Sequence, residues 1–162
     1  MSMKKIIKTI STILFVISLY RCGETHDILY IVNNANHTIG FYLGLGGWTS
    51  YPDTLLPKTD FPVAKNIKPD KRFSVAMDFE WEKILSGLPK DTMSVFIFHT
   101  DTLNKYTWNE VRDRYMILKR YDLSYDDLVR LHDKYKYGSP EIPYPPDERM
   151  KDMKMYPPYG SE

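Results

Sequence analysis

"TMSVFIFHTD", residues Thr92 to Asp101, is the stretch on which the fold turns. Val95, Phe96, Ile97 and Phe98 follow one another without a polar interruption. A half-buried strand alternates apolar and polar residues, so a continuous apolar run predicts a central strand buried on both faces.

Outward from that strand, helix and strand signals alternate. "TWNEVRDR" places Thr107 and Glu110 at the N-cap and N3 positions of a capping box, in which each satisfies an otherwise orphaned backbone N–H of a short helix. Ser124 and Asp127 repeat the pattern in "SYDDLVRLHDKY", where Leu128, Leu131 and Tyr135 follow a helical period toward an end near Lys136. "YMILKRYDLS" between them predicts a strand over Tyr115 to Tyr121. On the other side, Phe73, Val75 and Met77 alternate with Arg72, Ser74 and Ala76, the period of a strand with one face on a core. Asp78 then stands as a cap for a short helix carrying Trp81, Ile84 and Leu85, which Gly87 and Pro89 close. Nearer the N-terminus, Ile28 to Val32 and His37 to Leu45 are two β-rich runs around a polar turn, and predict a hairpin with a loose loop.

The C-terminal stretch holds six of the eleven prolines, interleaved with Tyr137, Tyr144, Tyr156 and Tyr159. Proline removes a backbone donor and pushes its predecessor out of the helical region. Large rings nevertheless give such a segment something to bury, and "DERMKDMKM" can turn once or twice with Met150 and Met153 on one side. The segment 137–162 is therefore expected to dock on the body.

At the N-terminus, Lys4, Lys5 and Lys8 precede an uncharged eleven-residue run, Ile10 to Tyr20. That is the layout of an export signal, much shorter than the roughly 20 residues that span a bilayer as a helix. Leu19, Cys22 and Gly23 are similar to a bacterial lipobox, whose cysteine is acylated and becomes the first residue of the mature chain; Arg21 departs from the pattern, which has a small residue there. The expected organisation is a lipoprotein signal peptide over 1–21, lipidation at Cys22, a tether over 22–27, a globular domain over 28–136 and the Pro/Tyr-rich segment over 137–162. Removing 1–21 takes away four of the 22 basic residues and no acidic one, leaving 18 against 21 acidic. A polyanion partner needs concentrated basic charge, so a nucleic-acid partner is not expected. A single cysteine also allows no intrachain disulfide.

Candidate chemistry is sparse. The glycines of "GLGG" (Gly44 to Gly47) are not followed by Gly-Lys-Ser/Thr, so they suit a bend at a strand end better than a phosphate loop. His26, His37, His99 and His132 lie far apart and form no ligand-spaced pair, so neither a metal nor any other cofactor is expected. His99 and Asp101, delivered at the end of the strongest strand, are the weak candidates for an acid/base pair; the plainer reading is that they cap and turn the chain. Tyr42, Trp48 and Tyr51 lie on or near a Gly/Pro-rich loop, where rigid aromatic faces can stack on a sugar or clamp a peptide.

The lipobox-like Cys22, "ILYIVNNANHTIGFYL", "YPDTLLP", "VFIFHTDTLNKYTWNEV" and "ILKRYDLSYDDLVRLHDK" followed by "IPYPP" and "MKMYPPYG" resemble small exported lipoproteins of gut Bacteroidetes, a functionally uncharacterised group. The resemblance implies a shared fold and a bacterial cell-envelope location at the outer membrane, and brings no catalytic residue with it.

The expected fold is α+β, a mostly antiparallel sheet of about five strands with two or three short helices and the C-terminal segment laid over one face; a β-sandwich with inserted helices is the alternative. The expected function is that of a lipid-anchored envelope protein, not an enzyme, held to the membrane by its N-terminal lipid and binding a protein or glycan partner. The alternative is a small envelope hydrolase using His99 and Asp101.

Overall fold

The computed structural model describes residues 27–58, 64–132 and 138–161. The signal-peptide and lipidation expectations, Cys22 included, fall outside these residues. The fold is α+β, built on a five-stranded antiparallel sheet in the order β3-β2-β5-β6-β8 and a three-stranded sheet in the order β4-β1-β7. The strands are β1 (Asp27–Asn33), β2 (Ile39–Gly44), β3 (Ala64–Ile67), β4 (Lys71–Met77), β5 (Thr92–His99), β6 (Lys119–Ser124), β7 (Glu141–Tyr144) and β8 (Lys154–Tyr156). Four one-to-two-turn helices accompany them: α1 (Trp81–Ser86), α2 (Thr100–Lys105), α3 (Trp108–Asp113) and α4 (Tyr125–Arg130).

Strand β5 is the middle strand of the five, as its composition predicts. Every residue from Thr92 to Phe98 is buried, and the alternation of side chains divides them between two cores. Met93, Val95 and Ile97 join Ile39, Phe41, Tyr121 and Leu123 against Leu29, Ile31 and Ile142 of the smaller sheet. Tyr121 of β6 reaches across this first core, its hydroxyl donating to the Pro143 carbonyl at 2.9 Å. On the opposite face, Phe96 and Phe98 meet Tyr42, Leu56, Leu103 and Val111, a second core roofed by α2, α3 and the loop after β2. Helices α1 and α4 close the first core with Trp81, Leu85 and Leu128.

Both capping boxes form as the sequence predicts, Thr107 with Glu110 on α3 and Ser124 with Asp127 on α4. The two bonds from Thr107 hold the exposed Glu110 carboxyl below the usual carboxylate range. Val75 and Met77 of β4 face the first core and Arg72, Ser74 and Ala76 face outward; Phe73, expected on the core face, is exposed and meets that core at its edge, its ring against Phe41. Arg72 lies over the Tyr30 ring at 4.3 Å and reaches Glu141 at 3.0 Å, bridging all three strands of the smaller sheet on its outer face.

Five expectations are corrected. Helix α4 ends at Arg130 rather than near Lys136, with Leu131 as its C-cap and His132 bridged to Pro140. The runs Ile28 to Val32 and His37 to Leu45 are not a hairpin: β1 pairs with β4 and β7, and β2 with β3 and β5, so the chain crosses between sheets. Buried Asn33 makes the corner, its amide donating to the carbonyls of His37 and Ile67 and its side-chain oxygen accepting from the Ala35 N–H. Strand β6 begins at Lys119, not at Tyr115; Tyr115 has a positive φ of 49° and starts a connection that packs on the second core. Helix α1 starts after Glu80 rather than Asp78, with no side-chain cap. Lastly, the C-terminal segment does more than lie over one face. It supplies β7, parallel to β1, and β8, antiparallel to β6, so it adds an edge strand to each sheet. Met150 and Met153 are both buried in the first core, as their spacing predicts.

Candidate functional site

Past β2 the chain folds over the second core as a tight excursion. Gly44 admits it: a Cβ there would sit 2.1 Å from the Thr49 carbonyl oxygen, a separation no larger residue tolerates. Gly47, at φ 55°, takes the left-handed turn that follows. The excursion is bonded to itself, Leu55 N–H to the Trp48 carbonyl at 2.8 Å and Thr54 N–H to the Ser50 carbonyl at 3.0 Å. It is also strapped down from α3 and the connection after it. Trp108 Nε1 donates to the Pro57 carbonyl, Arg112 Nη1 to the Lys58 carbonyl, and the Tyr115 hydroxyl to the Thr54 carbonyl.

Trp48 stands at the crest of this excursion with 56% of its surface exposed, while Leu55 beside it is 57% exposed. Two clefts share the indole as a lining residue. One, of about 490 Å³, is walled by Tyr42, Leu43, Leu45 and Pro57. The other, of about 480 Å³, is walled by Leu55, Leu56 and Tyr115, with Arg112 and Asp113 at its rim. Trp48 and Lys58 line both. Each volume falls within the roughly 300–1,000 Å³ of small-ligand sites. The chain matches no protein-family model, no curated protein and no solved structure.

Of the three aromatic candidates read from the loop, the structure brings two together. Trp48 and Tyr42 share the first cleft, Tyr42 largely buried and Trp48 exposed. Tyr51 points elsewhere, with the Lys154 ammonium 3.8 Å above its ring. Leu55, Leu56, Lys58, Arg112 and Asp113 complete the site and were not legible as part of it: an aliphatic pair and a lysine carry no motif, and Arg112 and Asp113 reach the loop only because α3 packs beneath it.

Beneath the ridge lies a buried polar network. The Asp122 carboxylate, fully covered, accepts from Ser94 Oγ at 2.7 Å and from Arg120 at 3.1 and 3.2 Å. Arg120 donates onward to Thr54 Oγ1 and to the Tyr115 hydroxyl. Burial opposes the Arg120 charge, but the Tyr115 hydrogen bond and the Asp122 carboxylate outweigh it and hold its pKa above the usual value. The network thus couples β5 and β6 to the base of the excursion.

His99 and Asp101 are arranged as a cap. Nδ1 of His99 accepts the Asp101 backbone N–H at 3.1 Å at the start of α2, while the Asp101 carboxylate, largely exposed, stands 3.8 Å from the same nitrogen. The His99 ring stacks instead on His37, centroids 4.5 Å apart, with Tyr144 edge-on to His37. His37 Nδ1 faces Asn36 Oδ1, and its Nε2 is covered and has no hydrogen-bond partner among the described residues. Among the described residues no group of three or more His, Cys, Asp or Glu is placed to hold a metal ion.

Burial lowers the His37 pKa and the neighbouring His99 lowers it further, against a weaker opposite pull from Asp101. A base with a depressed folded-state pKa binds fewer protons folded than unfolded, so stability is complete above the ordinary value near 6.5 and is lost as pH falls through it. Urea denaturation at pH 8 and pH 5.5 should show this loss in the wild type. His37→Gln should lose less between the same two pH values; an equal loss in both proteins would place the effect elsewhere.

Proposed function

We propose that the protein is a lipid-anchored bacterial envelope protein that holds a protein or glycan partner on the ridge formed by Trp48. The observation that carries this reading is an exposed indole shared as a wall by two clefts, on a loop tied down at Pro57, Lys58 and Thr54. A large apolar ring left in water costs free energy that a ligand recovers on covering it, and a pre-ordered loop has little entropy left to lose. The lipid anchor at Cys22 and the export segment before it are part of the same proposal, on the sequence pattern described above. The hydrolase alternative is less well supported: His99 Nδ1 is committed to a backbone N–H, and the Asp101 carboxylate lies beyond hydrogen-bonding distance of it.

In membranes from the producing cells, a Cys22→Ala chain should lose its diacylglyceryl mass and leave the membrane fraction. Trp48→Ala should stay anchored, unfold within about 0.5 kcal/mol of the wild type because the ring is exposed, and fail to retain whatever co-purifies with the wild type. Equal recovery of partners by Trp48→Ala and wild type would remove the ridge from the function.

A further inference from the structure

We infer that the occupant of the ridge is a segment of another protein: an extended peptide with two apolar side chains, one in each cleft, and a carboxylate between them facing Lys58. The inference rests on the reading of the ridge as a binding site and names the partner's chemistry.

The walls decide against a sugar. Leu43, Leu45 and Pro57 in one cleft, and Leu55 and Leu56 in the other, offer no hydrogen-bonding side chain. The polar groups that do border the clefts are largely engaged. Thr49 Oγ1 donates to the Gly46 carbonyl, the Tyr115 hydroxyl to the Thr54 carbonyl, and Arg112 is spent on Asp113 and the Lys58 carbonyl. A sugar brings hydroxyls on nearly every carbon, and each one desolvated without a partner weakens binding. Leucine, phenylalanine or tyrosine side chains bring the apolar surface that these walls match, and aromatic anchors seated in pockets dominate protein recognition.

The charge at the ridge points the same way. The Arg112 guanidinium is neutralised by Asp113 at 2.7 Å. Lys58, exposed and common to both clefts, has no ion-pair partner among the described residues. A single unmatched ammonium on a residue that lines both apolar clefts is complementary to an acidic side chain flanked by apolar ones. Successive side chains of an extended strand alternate in direction, so residues at i, i+2 and i+4 face one surface together. An apolar-x-acidic-x-apolar segment therefore presents the required three groups at once.

The test uses the full chain in detergent and dye-labelled synthetic nonapeptides of serine and glycine. In one set Leu, Phe or Tyr flanks a central Glu at a spacing of two; control sets carry Lys in place of Glu, or Ser in place of both apolar residues. Fluorescence anisotropy should show the Glu set binding about fivefold tighter than the Lys set at low salt, as a rim charge allows. That preference should vanish in Lys58→Met. Trp48→Ala should weaken binding of the Glu set about tenfold or more, with Trp48→Phe intermediate. Loss of binding in the Ser set completes the expected pattern. Binding indifferent to the apolar residues or to the central charge would overturn the inference. Soluble β-glucan and polygalacturonate oligosaccharides are titrated in parallel against Trp48 emission, read as wild type minus Trp48→Phe. If a sugar binds and no peptide does, the peptide inference fails and the ridge stands; if neither binds, both fail.

Discussion

Asp122→Ala is expected to destabilise the protein by about 3–5 kcal/mol, the range for removing one partner of a buried ion pair. The carboxylate is fully covered and anchors both ends of the network, Ser94 on β5 and Arg120 on β6. Without it the Arg120 guanidinium keeps only neutral partners, the Thr54 and Tyr115 oxygens, in a site where water reaches little of it. An isolated buried charge costs more than the pair contributed, which is why the single deletion should exceed the loss in a matched double replacement, Asp122→Leu with Arg120→Met. Equilibrium denaturation in guanidinium chloride, run on Asp122→Leu, Arg120→Met and the double, measures the coupling. A loss below about 1 kcal/mol for Asp122→Ala would mean that the pair is solvated in solution. The network also carries Thr54 and Tyr115, so Asp122→Ala should broaden the emission of Trp48 as the excursion above it loosens.

Phe96→Ala should cost about 3–5 kcal/mol as well, by a different route. The ring is completely buried on the outer face of the central strand, between Tyr42 at 6.0 Å and the edge-on Tyr115 at 6.5 Å. Its deletion opens a cavity under the excursion that strapped loops cannot fill. Ile97→Ala, one residue along and facing the first core, should cost about 2–5 kcal/mol. Thermal and denaturant unfolding of the two variants tests whether both faces of β5 are packed. If Phe96→Ala costs under about 1.5 kcal/mol while Ile97→Ala is severe, the outer layer is not the close-packed core described above.

The sequence made some of this architecture legible and hid the rest for physical reasons. The burial of β5 on both sides was readable because a run without polar residues leaves no face for water. Both capping boxes were readable because their bonds span three residues, within reach of any local reading. Strand partners were not. Ile28 to Val32 and His37 to Leu45 carry a hairpin's composition, yet the Asn33 amide bonds to Ile67, a long-range contact, and turns the chain into a second sheet. The parallel pairing of β7 with β1 joins residues more than a hundred positions apart, beyond any local signal. At the ridge, Trp48 and Tyr42 stood out as rings near a Gly/Pro-rich loop. Tyr51 had the same credentials and lies under Lys154, because which way a ring points depends on the strand that arrives beside it.

The C-terminal segment has a temporal consequence. Strand β1, the middle of the smaller sheet, lacks one flank until Glu141 to Tyr144 arrive, and β6 waits for Lys154 to Tyr156. A chain emerging from a ribosome or a translocation channel N-terminus first holds two unfinished borders until Glu141 to Tyr144 and Lys154 to Tyr156 are free. Maturation should therefore be late and abrupt rather than progressive, as distant pairings slow the search for the native state. Stalled chains released short of residue 141 should be degraded where chains reaching residue 161 persist.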